Sequence, residues 1–276
     1  MKTDTLKKSL LDYAIKGSLT AKFRRENNGL NAFDELEIYN DNIKQQRKDL
    51  EKELKKCEKE FKLEKDKDKK ALFKSQIQML KKELIKCKEI TPLNSTEAPF
   101  TIPNSWAWVK LGDICEINPK NDISDNVEIS FIPMALIADS CQNTFTYELK
   151  LWKEVKGGFT HLCDNSVAFA KISPCFENGK SFVVKNLKNG YGAGTTELIV
   201  LLPYNPLLKE YVFYCVNSAF FVNQALKTFK GTAGQQRLNM DFVENFTIPL
   251  PPLKEQEHIV QTLDTLFTLK KGLRVE

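Results

Sequence analysis

The sequence has little of what enzyme chemistry usually requires. Only two of its 276 residues are histidines, His161 and His258, and its seven cysteines include no C-x-x-C pair. Neither a zinc framework nor a dithiol redox centre can be drawn from that set. An odd, scattered group of cysteines is expected to be reduced, with Cys57 and Cys87 acting as small hydrophobes. No apolar run approaches the roughly 20 residues of a membrane span. The N-terminus, MKTDTLKKSLLDYAIKG, has no long apolar core and no small-residue cleavage site. The expectation is a cytoplasmic chain with no membrane partner.

Familiar catalytic motifs are missing as well. PCFENGKS (174–181) ends like a phosphate-binding loop, but Pro174 stands where that loop needs a glycine. Proline offers no amide donor and cannot take a positive φ. Asn205-Pro206-Leu207-Leu208 lacks the second proline and the aromatic of an amino-methyltransferase turn, and no glycine-rich cofactor loop accompanies it. No nucleophile elbow or Ser/His/Asp set can be assembled, so both histidines are expected to be structural or exposed. One chemical alternative stays open, a stand-alone metal-dependent nuclease. Asp139 and Glu154 would hold Mg²⁺ and Lys156 would assist the attacking water, although Glu-x-Lys arises easily by chance in this composition.

What is present is a soluble, globular composition, 42% hydrophobic and 28% charged. Residues 1–90 carry 24 Lys/Arg against 17 Asp/Glu, and residues 91–276 carry 17 against 19, so the basic excess lies in the N-terminal third. Residues 1–34 contain a helix with Leu6, Leu10, Leu11, Ala14 and Ile15 on one face, ended or kinked at Gly17-Ser18. Residues 35–92 form a Lys/Glu-rich region with no glycine and no proline before Pro92. Its apolar residues Leu36, Ile43, Leu50, Leu54, Cys57 and Phe61 fall at heptad spacing. After the charged knot EKDKDKK (64–70) the seam resumes at Phe73, Ile77, Leu80, Leu84 and Cys87. Two in-phase seams around a break predict an antiparallel helical hairpin.

Residues 93–105 read as a Pro-rich linker and 106–250 as a globular domain. SVAFAKI (166–172), KSFVVKNL (180–187) and TELIVLLP (196–203) are predicted strands, and NGYGAG (189–194) a glycine turn between the last two. Asn205-Pro206 is expected to cap and open one helix running through LLKEYVFYCVNSAFFVNQALKTF. GTAGQQRLN (231–239) is a glycine-rich loop. Residues 251–276 hold the start of an amphipathic helix with Ile259, Val260, Leu263, Leu266 and Phe267 on one face. The fold class is therefore α+β, a mixed domain attached to a long antiparallel helical hairpin or coiled coil. Leu50, Leu54, Phe61, Ile77, Leu80, Leu84, Ile259, Leu263 and Leu266 are the expected helix or subunit contacts.

The polar loops supply a different chemistry. Asn178, Lys180, Thr195, Thr196, Gln235, Gln236 and Arg237, with Lys171 and Lys230 beside them, suit a base-reading surface. Arginine pairs with guanine, Gln or Asn with adenine, and Lys and Thr reach phosphates and base edges. Each is also what an ordinary loop tip carries. A coiled-coil interaction protein with no DNA role is a further alternative.

Four blocks carry a resemblance. FAKISPCFENGKSFVVKNLKNGYGAGTTELIVLLP (169–203) resembles the centre of a target recognition domain from specificity subunits of type I restriction–modification systems. IPNSWAWVKLGDIC (102–115) resembles that domain's entry, and GTAGQQRLNMDFVENFTIPLPPLKEQEHIV (231–260) its end and exit helix. LKKSLLDYAIKGSLTAKFRREN (6–27) resembles the helical region that precedes such a domain. The resemblance implies a non-catalytic DNA-binding subunit without a cofactor of its own. Its implied partners are double-stranded DNA, adenine methyltransferase subunits that carry S-adenosylmethionine, and a restriction subunit. Lys180 would meet a phosphate or base edge. The helices would act as a ruler, since residues 36–62 span roughly 40 Å at 1.5 Å per residue, close to the roughly 34 Å between half-sites on one DNA face. With one recognition domain where the family has two, the chain resembles a half subunit, which would homodimerise, pair with a different half, or be an inactive fragment.

Overall fold

The computed structural model describes residues 2–94, 98–204, 206–232 and 234–272. In chain order its elements are α1 (Lys2–Ile15), α2 (Ala21–Glu26), α3 (Ala32–Leu63), α4 (Lys67–Lys86), β1 (Ala107–Lys110), the one-turn helix α5 (Leu111–Ile114), β2 (Cys115–Ile117), β3 (Glu128–Ile132) and β4 (Glu148–Leu151). They continue with the one-turn α6 (Trp152–Val155), β5 (Thr160–Cys163), β6 (Val167–Ala170), β7 (Ser181–Val183), β8 (Tyr191–Gly194) and β9 (Leu198–Pro203). Last come α7 (Lys209–Val216), α8 (Ala219–Leu226), α9 (Met240–Asn245), β10 (Thr247–Leu250) and α10 (Leu253–Gly272). Phe33–Thr91 form one compact unit, close to the expected 35–92. Met1–Ala32 and Pro92–Glu276 form a second. No helix among the described residues is long and apolar enough to cross a membrane.

The hairpin follows its heptads. Cys57, Leu80 and Cys87 are buried and Leu50, Leu54, Phe61, Ile77 and Leu84 half-buried, while off-seam Leu63, Leu72 and Ile85 stay exposed. Antiparallel register is marked by Lys81–Glu58 at 3.3 Å and Lys44–Glu89 at 3.7 Å. At its base, Asn40 exchanges two hydrogen bonds with the Ile90 backbone, at 2.8 and 2.9 Å. The turn contains no glycine or proline because acidic side chains satisfy the loose amides. Asp66 Oδ1 accepts from Asp68 N and Lys69 N as the N-cap of α4, and Glu64 Oε1 accepts from Lys65 N and Asp66 N. Those donations, first from Asp66 and then from Lys65, hold the Glu64 carboxyl below its ordinary value.

The second unit is built on two four-stranded sheets, ordered β2-β9-β6-β7 and β4-β3-β8-β5, and a two-stranded ladder, β1-β10. All pairings are antiparallel except β3 with β8. Ile132, Leu162, Ala168, Phe182, Leu198 and Val200 fill the core shared by the two larger sheets. The other face of β6 and β7 is covered by α7, so β6 is buried along its whole length. That two-sided burial explains its unbroken apolar run, VAFA.

Two expectations are corrected. NGYGAG is a turn only at Asn189-Gly190, with φ of 55° and 77°, because Tyr191–Gly194 form β8 in the other sheet. The β8 glycines serve close approach: a Cβ on Gly192 would lie 2.8 Å from Ser130 O, and one on Gly194 3.0 Å from Ile132 O. The single helix expected from Asn205 is two. It opens at Lys209, is broken at Asn217-Ser218, and restarts with Ser218 accepting from Phe221 N. The expected cap Asn205 lies outside the described residues, as do residues 95–97 of the linker. The described remainder of that linker packs on the domain, with the Phe100 ring 4.8 Å from Trp108 and 5.1 Å from Phe220.

The helices are joined to the domain by a buried carboxylate. Glu255, in the first turn of α10 and 1% exposed, accepts from Thr20 Oγ1 at 2.5 Å, Arg24 Nη1 at 2.5 Å and Trp106 Nε1 at 2.8 Å. Its neighbour Gln256, also buried, accepts from Leu208 N and donates to Pro206 O and Pro251 O. Ile259 and Leu263 are completely buried within this chain, where α10 meets α1 and α7. This corrects their assignment as subunit contacts, because neither offers surface to a partner. Leu266 is half-buried.

Both histidines make packing or hydrogen-bond contacts within the fold. His258 stacks on Phe23 at 4.3 Å. His161 on β5 is buried, its Nδ1 accepts from Asn121 N at 3.0 Å, and Nε2 therefore donates to Lys156 O at 3.0 Å. That pattern requires the neutral ring, and burial lowers the His161 pKa.

Three outcomes are expected. Glu255→Ala leaves two buried donors, Thr20 Oγ1 and Trp106 Nε1, and the half-buried Arg24 without their acceptor, and should destabilise this unit by about 3–5 kcal/mol in urea unfolding. Thr20→Ala should cost about 1 kcal/mol. Stability owed to neutral His161 is complete above the ordinary histidine value of about 6.5 and is lost as pH falls through the lowered folded value. His161→Leu should be less stable at pH 7.5 but lose less Tm between pH 7.5 and 5 than the parent chain, as read by thermal denaturation at each pH.

Candidate nucleic-acid interface

The β2-β9-β6-β7 sheet ends where β6 stops at Ala170 and where β7 and β9 begin at Ser181 and Leu198. Three segments distant in sequence are fastened there. Lys171 N donates to Glu197 O at 2.8 Å, Leu238 N to Lys171 O at 2.8 Å, and Ser173 N to Gln236 O at 2.9 Å. Lys230 and Arg237 exchange backbone hydrogen bonds at 3.1 and 2.9 Å, which closes the glycine-rich loop on itself. The Phe176 and Phe229 rings, 5.2 Å apart, tie that loop to the 174–180 turn.

This arrangement brings most of the expected readers together. Asn178, Thr196, Lys230, Gln235 and Arg237 are exposed, and Lys171, Thr195 and Gln236 are half-buried. Thr195 Oγ1 accepts from Glu197 N at 3.2 Å and shapes the bend that presents Thr196.

Arg237 is held in one orientation by a residue the sequence reading passed over. Glu197 accepts from Arg237 Nη2 at 2.7 Å and from Nε at 3.0 and 3.1 Å, while Nη1 donates to Gln235 O at 3.2 Å. The hydrogen bonds to Glu197 raise the guanidinium pKa further. These contacts use three of the five N–H donors and leave two for an acceptor. The only sequence signal for Glu197 was a lone acid within a stretch of neutral polar and glycine residues.

Lys180 departs from its expected role. Its side chain is 14% exposed, and its ammonium donates to Ile137 O at 2.5 Å and Met134 O at 3.2 Å and pairs with Asp139 at 3.5 Å. It ties the turn down to the 134–139 segment and does not face outward. Beside it a cavity of about 360 Å³ is lined by Leu11, Phe169, Phe176, Ser181 and Asn217 among others. The polar groups on its floor satisfy one another, Ser181 Oγ donating to Asn217 Oδ1 and Asn217 Nδ2 to Phe213 O.

The nuclease alternative finds no support in this geometry. Asp139 is committed to Lys180, Glu154 Oε2 accepts from Leu151 N at the start of α6, and Lys156 pairs with Asp125 at 2.8 Å. Among the described residues no cluster of three or more His, Cys, Asp or Glu is arranged to hold a metal ion.

Comparison with known proteins gives a consistent set of relatives. Residues 103–276 match the family described as the type I restriction modification DNA specificity domain. Over 186 residues the chain is 43% identical to the specificity subunit of the type I restriction enzyme EcoAI from Escherichia coli, covering 67% of this chain and 32% of that one. The EcoEI specificity subunit, also from Escherichia coli, is 41% identical over 186 residues, with 67% and 31% covered. The chain thus spans about a third of the length of these curated relatives. The crystal structure of the HsdS subunit from Thermoanaerobacter tengcongensis shares the fold, with a TM-score of 0.54 at 23% identity over 65% of this chain and 46% of that one.

Proposed function

Because the chain belongs to the type I restriction–modification DNA specificity family, we propose that it reads one half-site of double-stranded DNA through the loops around Arg237. In this reading it is the non-catalytic specificity subunit of a larger complex. Adenine methyltransferase subunits dock on it and bring S-adenosylmethionine, and a restriction subunit joins them. The second half-site is read by a second copy of this chain or by a different recognition domain.

The observation that carries the reading is the Arg237 cluster. Three segments converge on one sheet end, and an acid fixes a guanidinium there with two donors to spare, which suits the paired acceptors N7 and O6 of guanine. Asn178 and Gln235 supply amides of the kind that read adenine, and Lys171 and Lys230 supply phosphate contacts. In the other unit, α3 runs for 32 residues, about 48 Å at 1.5 Å per residue, and the hairpin would set the gap between half-sites.

The decisive experiment is a modified-base map of the host genome with and without the gene. Loss of N6-methyladenine from one bipartite motif is expected, and a map that does not change would refute the proposal. A palindromic motif identifies a pair of identical chains and an asymmetric one a second, different half. A heptad inserted in each hairpin arm should alter the gap of that motif. At residue level, Arg237→Ala should cost about 1–3 kcal/mol and relax specificity at one base. Lys230→Ala should weaken binding to all sequences alike and flatten the salt slope by about 1.

A further inference from the structure

The exposed Asn178 sits on a turn whose support comes from an unexpected direction. Ser140 N donates to Asn178 O at 2.6 Å and Cys141 N to Gly179 O at 2.9 Å, so the 174–180 turn rests on residues 140–141. Ser140 and Cys141 are both left-handed, with φ of 58° and 52°. Neither is glycine, and such residues hold that conformation only when their surroundings enforce it. Their amides face the turn. Their carbonyls face helix α1, where the Lys7 ammonium donates to Cys141 O at 2.6 Å and Ser140 O at 3.4 Å. Lys180 holds the residues just before that bend, at Met134 O, Ile137 O and Asp139.

α1 is itself part of the helical group that carries the C-terminal helix. Lys7 lies over the Phe267 ring of α10 at 5.1 Å, and Asp12 accepts from Phe220 N at the start of α8 at 3.2 Å. A continuous set of hydrogen bonds and packed groups therefore runs from α10 through Lys7 and the Ser140–Cys141 bend to Asn178.

We propose that Lys7 is a positioning residue for base readout: it holds the strained Ser140–Cys141 bend, and through it sets where the 174–180 turn presents Asn178. A shift of α1 or α10 would then alter sequence discrimination without any change in the residues that touch DNA. The inference rests on the DNA-reading proposal above, and the test separates the two.

The full chain would be used to select duplexes from a random pool, as wild type and as Lys7→Met, Lys7→Arg and Asn178→Ala. A wild-type chain that enriches no motif would overturn the DNA-reading proposal and this inference with it. Given a motif, Asn178→Ala identifies the positions its turn reads. Lys7→Met should reduce discrimination at those positions about tenfold, within the span of a single base mismatch, with the salt slope unchanged, and Lys7→Arg should restore it. Unchanged discrimination in Lys7→Met overturns the inference alone. A uniform loss of affinity with a salt slope smaller by about 0.9 also overturns it, by making Lys7 a plain phosphate contact. Should Lys7→Met fail to fold, Gly179→Ala tests the same bend from the other side. Gly179 has φ of 68°, and its new Cβ would lie 2.7 Å from Cys141 Sγ and 3.2 Å from Cys141 N. Loss of discrimination at the Asn178 positions is expected, and an intact motif would overturn the inference.

Discussion

A carboxylate placed out of reach of water must have its full set of donors, and Glu255 draws its donors from two distant parts of the chain, so that with itself it joins three. Thr20 and Arg24 come from the N-terminal helices, Trp106 from the entry to the domain, and Glu255 itself from the first turn of the exit helix. The cost of burying an ion unpaired is several kcal/mol, so no member of the set is free to drift. The blocks that carry the family resemblance, LTAKFRREN, NSWAW and PLKEQEHIV, are the blocks that meet at this one group. A shared electrostatic requirement thus accounts for three separated stretches of sequence.

A platform fixed in this way lets its loops specialise. The loops around Arg237 leave one end of a sheet that is covered on one face by a second sheet and on the other by α7. Their backbones are tied by short hydrogen bonds, which leaves their side chains as the adjustable part. The same rigidity explains the contrast between two basic residues of the site. Arg237 is exposed and aimed by an acid, whereas Lys180 spends its charge on carbonyls below the surface.

Features set by local periodicity were readable in advance. Heptad gaps gave the hairpin and its seam, and β-branched and aromatic runs located β6, β7 and β9. Features that depend on contacts distant in sequence were not. NGYGAG has turn composition, yet Gly192 and Gly194 lie in a strand with another strand's carbonyls against them. The break at Asn217-Ser218 is hidden in an apolar run, because Ser218 as a cap is visible only once its hydroxyl is seen at Phe221 N. Ile259 and Leu263 have the spacing of a subunit interface and of a core face alike, and only the position of α1 and α7 decides between them. β2 to β5 are strands of three to five residues, too short for alternation to stand out. Lys180 and Glu197 show the limit for the site itself: composition marks a residue as able to meet DNA, and tertiary geometry decides whether it points there.

The short ladder of β1 and β10 sets the chain's entry into the domain beside its exit. Ala107 lies opposite Leu250 and Lys110 opposite Thr247, so the two ends run on adjacent antiparallel strands. The strands β2 to β9 and the loops between them lie between those ends in sequence. A change of length in one of those loops therefore leaves the separation of entry and exit as the ladder holds it.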